Sequence, residues 1–145
     1  MTAAIAACSG GGQNIIGPEL FTYTATSQVT STNPMRFQTT VTVKNPTTDQ
    51  IEFIPGCPIP RVLVYATSAR SGTPTWDSNT RNTPCTLVPT TVKLAPGASA
   101  SYTTTVTGAE VLGASGSAGT YFVTDEVTLS GVISRVTAGE VSLTR

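Results

Sequence analysis

Apolar and polar positions alternate along most of this chain with a period of two. From Leu20 to Val29, the residues Phe21, Tyr23, Ala25, Ser27 and Val29 fall on one side and threonine takes most of the other. That is the signature of a half-buried strand. Asn33-Pro34 turns the chain, and Phe37, Thr39, Val41 and Val43 then line one face of a second strand. It ends at Asn45-Pro46, because proline gives no donor to a ladder and restrains the residue before it. Ile51 to Ile54 reads as a short third strand. Pro55-Gly56-Cys57-Pro58-Ile59-Pro60 holds three prolines, which forbids regular pairing and predicts an irregular crossing.

Arg61 to Thr67 carries Val62, Val64 and Ala66 on one face and Leu63 and Tyr65 on the other, so a strand with little exposure is expected. Ala69 to Pro84 is polar and rich in turn formers, a loop except around Trp76. Thr90, Val92 and Leu94 make the next strand, closed by Pro96-Gly97 in the manner of a type II turn. Ser99 to Val106 follows, with Tyr102 and Val106 available to a core, and Gly108 to Ser117 has room for one short helical turn. Tyr121, Val123, Val127 and Leu129 mark a long strand, and Val136, Val141 and Leu143 a final one. About seven to nine strands with regular turn signals predict an all-β fold, an antiparallel immunoglobulin-like β-sandwich. At 145 residues there is length for one such domain, placed at 18–145 behind an N-terminal tether at 1–17.

Composition sharpens this picture. There are 28 threonines, a β-branched residue that sits easily on a pleated surface. Eight basic and eight acidic residues cancel, leaving no positive cluster for nucleic acid to bind. A surface so poor in charge also lacks the repulsion that keeps soluble proteins apart, which fits a chain docked on a protein partner. Histidine is absent, which removes Ser-His-Asp and Cys-His catalysis and imidazole metal sites. Asp125-Glu126 is the one adjacent acidic pair, but strand neighbours face opposite sides and do not share a substrate atom. One of them is expected to be exposed and the other at an edge or paired with arginine. Asp49, Glu52 and Asp77 are too isolated to supply the six or more oxygens that calcium needs. No catalytic residue, metal, cofactor or small-molecule substrate is expected, and the chain is read as a non-enzyme.

Cys57 and Cys85 flank the only tryptophan, and both lie in proline-rich turns beside strands. That placement favours a disulfide, pinning the sandwich across its middle, and an oxidising compartment. Two buried free thiols in a cytosolic protein are the alternative. Trp76 then either packs in the core against the bridge or stands exposed as a partner anchor. Arg61, Arg70 and Arg81 fall in the same loop-rich region. They are either solvated charges or face an acidic surface or lipid headgroups, and Arg70 and Arg81 with Trp76 are the candidate partner-binding residues.

Ile5-Ala6-Ala7-Cys8 resembles the lipobox of a bacterial lipoprotein, and Ser9-Gly10-Gly11-Gly12 resembles the tether that follows one. The resemblance implies a lipid anchor on Cys8. Only seven residues precede Cys8 and none is basic, whereas a signal peptide has a charged start and a longer apolar region. Either the signal begins upstream or Cys8 is an ordinary cysteine.

The strand Phe37 to Lys44 running into Asn45-Pro46-Thr47, the strand Arg61 to Tyr65, the segment Gly72 to Trp76-Asp77, and Leu94-Ala95-Pro96-Gly97 together resemble the BsuPI family, the intracellular proteinase inhibitor domain. The resemblance implies an immunoglobulin-like fold and, through an exposed loop, protease inhibition. The two cysteines and the lipobox depart from an intracellular member. The leading expectation is therefore a non-catalytic structural or interaction module on the periplasmic side of a bacterial membrane, an accessory subunit of a membrane-protein complex. Protease inhibition is the alternative.

Overall fold

A computed structural model describes residues 20–85 and 90–145. The tether expected at 1–17, with Cys8, lies outside them. Among the described residues nine strands form: β1 (Thr22–Thr32), β2 (Met35–Lys44), β3 (Ile51–Phe53), β4 (Arg61–Tyr65), β5 (Trp76–Asp77), β6 (Val92–Leu94), β7 (Ser99–Thr107), β8 (Gly119–Leu129) and β9 (Val132–Leu143), with one α-helical turn, α1 (Gly108–Leu112). Every pairing is antiparallel. One sheet runs β1-β2-β7, the opposing sheet β5-β4-β8-β9, and β3 with β6 makes a two-stranded ribbon. This is the expected all-β immunoglobulin-like sandwich. At one side β1 lies along β9 without pairing to it.

The alternation read from the sequence fills the interior. Phe37, Val41 and Val43 of β2 are fully buried, as are Val62 and Val64 of β4 and Val123 and Val127 of β8. They divide into two clusters. One, toward α1, joins Met35, Phe37, Val64, Trp76, Val106, Leu112, Val123, Val141 and Leu143. The other, beside the ribbon, joins Phe21, Val41, Val43, Ile51, Phe53, Leu94, Val127 and Leu129. Between them stand two polar residues on facing strands, Thr39 and Asp125, both without solvent exposure. β9 keeps its inward face on both sides of this seam through a bulge: Val123 pairs with Gly139 and Thr124 with Thr137, so Ala138 is the extra residue and inward positions change from even to odd.

Asn45, fully buried, ties two turns together. Its side-chain amide donates to the carbonyls of Asp49, Leu94 and Ala95 at 2.7, 3.0 and 3.2 Å, and its Oδ1 accepts from Thr47 N–H at 2.9 Å. The turn that ends β2 is thereby fastened to the one that ends β6. Asn45→Ala would strand those carbonyls and an amide in the interior, so we expect it to cost about 2 kcal/mol. Urea unfolding measures it, and a change under half of that would mean water replaces the amide.

Three expectations need correction. Val29 is 42% exposed, because β1 loses register between Val29 and Ser31, turning that end of the strand out of the interior. Asp125 and Glu126 do face opposite sides and Glu126 is paired with arginine, yet neither is exposed, because Asp125 meets Thr39 in the interior and Glu126 on the outer face is covered by Arg61 and Arg135. The segment Ala69 to Pro84 is regular around Trp76, where β5 forms as expected, but it also holds a 3-10 turn at Ser78–Arg81 that the loop reading did not include. The short helix is where it was expected. Thr107 and Glu110 form a reciprocal capping box, and Val111 and Leu112 seal that end of the core.

Candidate interaction surfaces

Cys57 and Cys85 are joined, with Cα atoms 5.9 Å apart. Both are exposed, so the bridge staples surface loops and does not pin the middle of the sandwich. The prolines around Cys57 keep that segment outside the named strands. Trp76 pairs with Val64 across β4 and β5 and packs inward with it. Of the two readings of this residue, the structure gives the packed one.

Arg81 lies over the outer edge of that packing, its guanidinium 5.2 Å from the indole centre. The 3-10 turn places it there, capped by Asp77, whose Oδ1 accepts from Asn79 N–H at 2.9 Å, and closed by Asn82 in the left-handed region at φ 52°. Arg81 donates to both carboxylate oxygens of Glu110, at 2.8 and 2.9 Å, and to the carbonyl of Thr105 at 2.8 Å. Burial pushes the Glu110 carboxyl up, but the bonds from Arg81 and Thr107 outweigh it and hold the group below its ordinary value.

Arg70 belongs to a different surface. It sits in the left-handed region at φ 47°, lies 5.2 Å over Phe122, and donates to Gly139 O at 3.0 Å and Ser68 O at 3.2 Å. Tyr121 and Val123 point into the core, so Phe122 between them points out. The three residues grouped from the sequence therefore divide, Trp76 and Arg81 together and Arg70 on the far face of the sheet.

On that far face a line of charges crosses all four strands. Arg61 of β4 makes a two-pronged contact with Asp77 of β5 at 3.0 and 2.5 Å and reaches Glu126 of β8 at 2.9 Å. Arg135 of β9 completes it at 3.0 Å from Glu126. The Arg61 bonds hold Asp77 below its ordinary carboxylate value. With Glu126 only 4% exposed, two arginines satisfy one buried carboxylate, which makes this network a structural one. Arg61 was legible as a cation, but its partners lie 16 and 65 positions away in sequence, beyond any local pattern.

Among the described residues, two surfaces suit a protein partner. One is a groove of about 370 Å³ beside the bridge, lined by Cys57, Pro60, Asn79, Arg81, Asn82 and Thr104 among others. With Arg81 neutralised by Glu110, the groove offers hydrogen bonds more than charge. The other is the outside of β1-β2-β7, where Thr24, Thr42 and Ser101 share one row and Thr26, Thr40 and Thr103 the next. Thr40 bonds Thr103 at 2.9 Å and Thr42 bonds Ser101 at 2.8 Å, hydroxyl to hydroxyl. Among the described residues no group of three or more potential metal ligands occurs, and no helix is long and apolar enough to cross a membrane.

No family model and no curated protein matches the chain. Solved structures similar to it include the protein described as ApaA from Bordetella pertussis, at 16% identity and a TM-score of 0.42, covering 86% of this chain and 92% of that one. An X-ray structure of a structural-genomics target matches at 11% identity and a TM-score of 0.39, over 88% of each chain. A beta-glucosidase from Listeria innocua, solved in complex with glucose, matches at 14% identity and a TM-score of 0.38, over 85% of this chain and 17% of its own.

Proposed function

We propose that this chain is a non-catalytic interaction module that works outside the cytoplasm, an accessory subunit held to a bacterial membrane through a lipid on Cys8 and docked on a membrane-associated protein complex. The observation that carries the reading is the solvent-facing Cys57–Cys85 bridge. Glutathione and thioredoxin reach such a bond readily, so it persists only where those reductants are absent. The hydroxyl-covered outside of β1-β2-β7 and the groove beside the bridge are the surfaces offered to a protein partner, with Arg81 positioned over Trp76 at the groove's rim.

The test is an intact mass, with and without reductant, of the protein taken from its native membrane fraction. The expected result is a chain beginning at Cys8 with diacylglyceryl and acyl groups, heavier by about two daltons after reduction. An unmodified chain with three free thiols would overturn both the compartment and the anchor.

One observation favours protease inhibition as a second reading. The exposed stretch at 66–69 and 71–73 is braced at its base by Arg70, which grips Gly139 O and Phe122. A braced, protruding loop suits insertion into a protease cleft. Full-length protein that leaves a panel of serine and cysteine proteases uninhibited at micromolar concentration would remove this reading.

A further inference from the structure

Among the described residues, four large apolar side chains are exposed: Val29, Ile54, Val132 and Ile133. Three of them gather at one end of the sandwich. Val132 and Ile133 open β9 directly after the Ser130-Gly131 turn, and Ile133 is 59% exposed. Ser130 and Gly131 have φ of 47° and 83°, both positive, as in the tight hairpin turns that match strand twist.

Ile54 is stitched to the same tip. Ser130 N–H donates to Ile54 O at 2.7 Å, Ile54 N–H donates to Ser130 Oγ at 3.1 Å, and Gly56 N–H donates to Thr128 O at 2.7 Å. Gly56 permits this approach, since a Cβ there would stand 2.7 Å from Thr128 Cβ. The tip is thus a fixed apolar platform without a charged side chain from Ile54 to Pro55 or from Ser130 to Ile133.

The chain enters the domain at this same end. Phe21 packs in the cluster beside the ribbon with Val127 and Leu129, at the base of the tip, and Leu20 follows Cys8 by 12 positions. A lipid on Cys8 therefore confines this end to within about 40 Å of the bilayer. Tethering raises the effective concentration of whatever apolar surface lies nearest the anchor, so that even a weak affinity is realised. Val29, the remaining exposed apolar residue, is on β1 toward the opposite end, paired with Phe37.

We propose that Ile54, Val132 and Ile133 form the membrane-resting end of the domain, seated on the acyl boundary of a lipid bilayer beside the anchor. This rests on the reading of Cys8 as the tether. Apolar residues at an interface gain by leaving water, while the ends of charged side chains stay among the headgroups. The opposite end, with α1 and the Asn33-Pro34 turn, then faces away from the bilayer.

The experiment supplies the tether chemically. Full-length protein, whose remaining cysteine is Cys8, is coupled to maleimide-phosphatidylethanolamine in vesicles of phosphatidylcholine with either ordinary or brominated acyl chains. Two variants, Ile133→Trp and Val29→Trp, place a fluorophore at each end, with buried Trp76 as a constant background. Emission from Ile133→Trp is expected to shift to the blue and to be quenched by the brominated chains, and that from Val29→Trp is not. Equal quenching of the two, stronger quenching of Val29→Trp, or none at all would overturn the proposal. If none is seen and a doubled solution mass disappears in Ile133→Ser, the tip belongs to a second copy of the chain. Failure of native lipidation, read separately by the intact mass, leaves this result interpretable, because here the anchor does not depend on the cell.

Discussion

Replacing both Cys57 and Cys85 with serine is expected to lower the unfolding free energy by about 3 to 4 kcal/mol. The bridge closes a loop with a sequence separation of 28, and the chain-entropy account assigns a loop of that size this much constraint on the unfolded state. At the thermal midpoint the same loss corresponds to a drop of roughly 10 °C for a domain of this length. The native contacts argue that the loss acts through the unfolded chain. Both cysteines are exposed, Trp76 belongs to the core cluster with Val62 and Val64, and Arg81 is held by Glu110 and Thr105. The folded structure therefore survives the double substitution with its core intact. Calorimetry of parent and variant decides the matter, and a shift of under about 3 °C would mean that the reduced unfolded chain retains this loop by other contacts.

The second large effect is on pH dependence. Asp125 lies between the two apolar clusters, and burial pushes its carboxyl from the ordinary 3.8 up to about 6, with the Thr39 hydroxyl opposing the shift. Thr39 Oγ1 stands 2.6 Å from Asp125 Oδ2 and 3.3 Å from the carbonyl of Thr26. A hydroxyl has one proton to give. With Asp125 ionised, Thr39 donates to it and gives up Thr26. With Asp125 protonated, the acid donates to Thr39 and Thr39 donates to Thr26, so both bonds are made.

The folded state thus holds the proton more tightly than the unfolded one. Its stabilising contribution is complete below about pH 4, declines as pH rises through about 6, and is gone above that, a loss of about 3 kcal/mol. Asp77 and Glu110 act in the opposite sense, because their carboxyls are held below ordinary values and their contribution is lost in acid. Asp125→Asn keeps an amide against Thr39 without an ionisation. It is expected to abolish the decline between pH 4 and pH 7 and to be more stable than the parent at pH 7.5. Urea midpoints of both proteins across that range test this, and parallel curves would show that Asp125 is hydrated enough to ionise freely.

Period-two alternation makes β2, β4 and β8 legible, because each is an inner strand with an alternating buried face, broken in β2 and β8 by one polar residue apiece, Thr39 and Asp125. The double-faced apolar pattern of Arg61 to Tyr65 correctly marked a strand buried on both sides. Legibility fell where position in the sheet, and not residue type, decides exposure. Val29 reads as inward by alternation, but a register slip at the end of β1 turns it out. Glu126 reads as a surface charge by type, but Arg61 and Arg135 converge on it from neighbouring strands. β5 is two residues long and has no periodicity to detect. The pairing of Cys57 with Cys85 is readable from their flanking prolines, whereas their exposure is not, because both lie in segments outside the named strands. Arg70 and Arg81 are equivalent as loop cations in sequence, and Phe122 and Trp76, on opposite sides of one sheet, separate them.

The paths of β1 and β9 bear on how the domain responds to mechanical load. The chain enters β1 at the end beside the ribbon and leaves β9 at the end beside α1, and β1 is zipped to β2 from Thr22–Lys44 to Thr32–Met35. A pull between the two termini is therefore directed along the strands, at right angles to the ladder hydrogen bonds. The bonds must then fail together in shear and cannot peel one at a time, so a domain drawn between an anchor at its entry and a load at its exit behaves as a stiff strut.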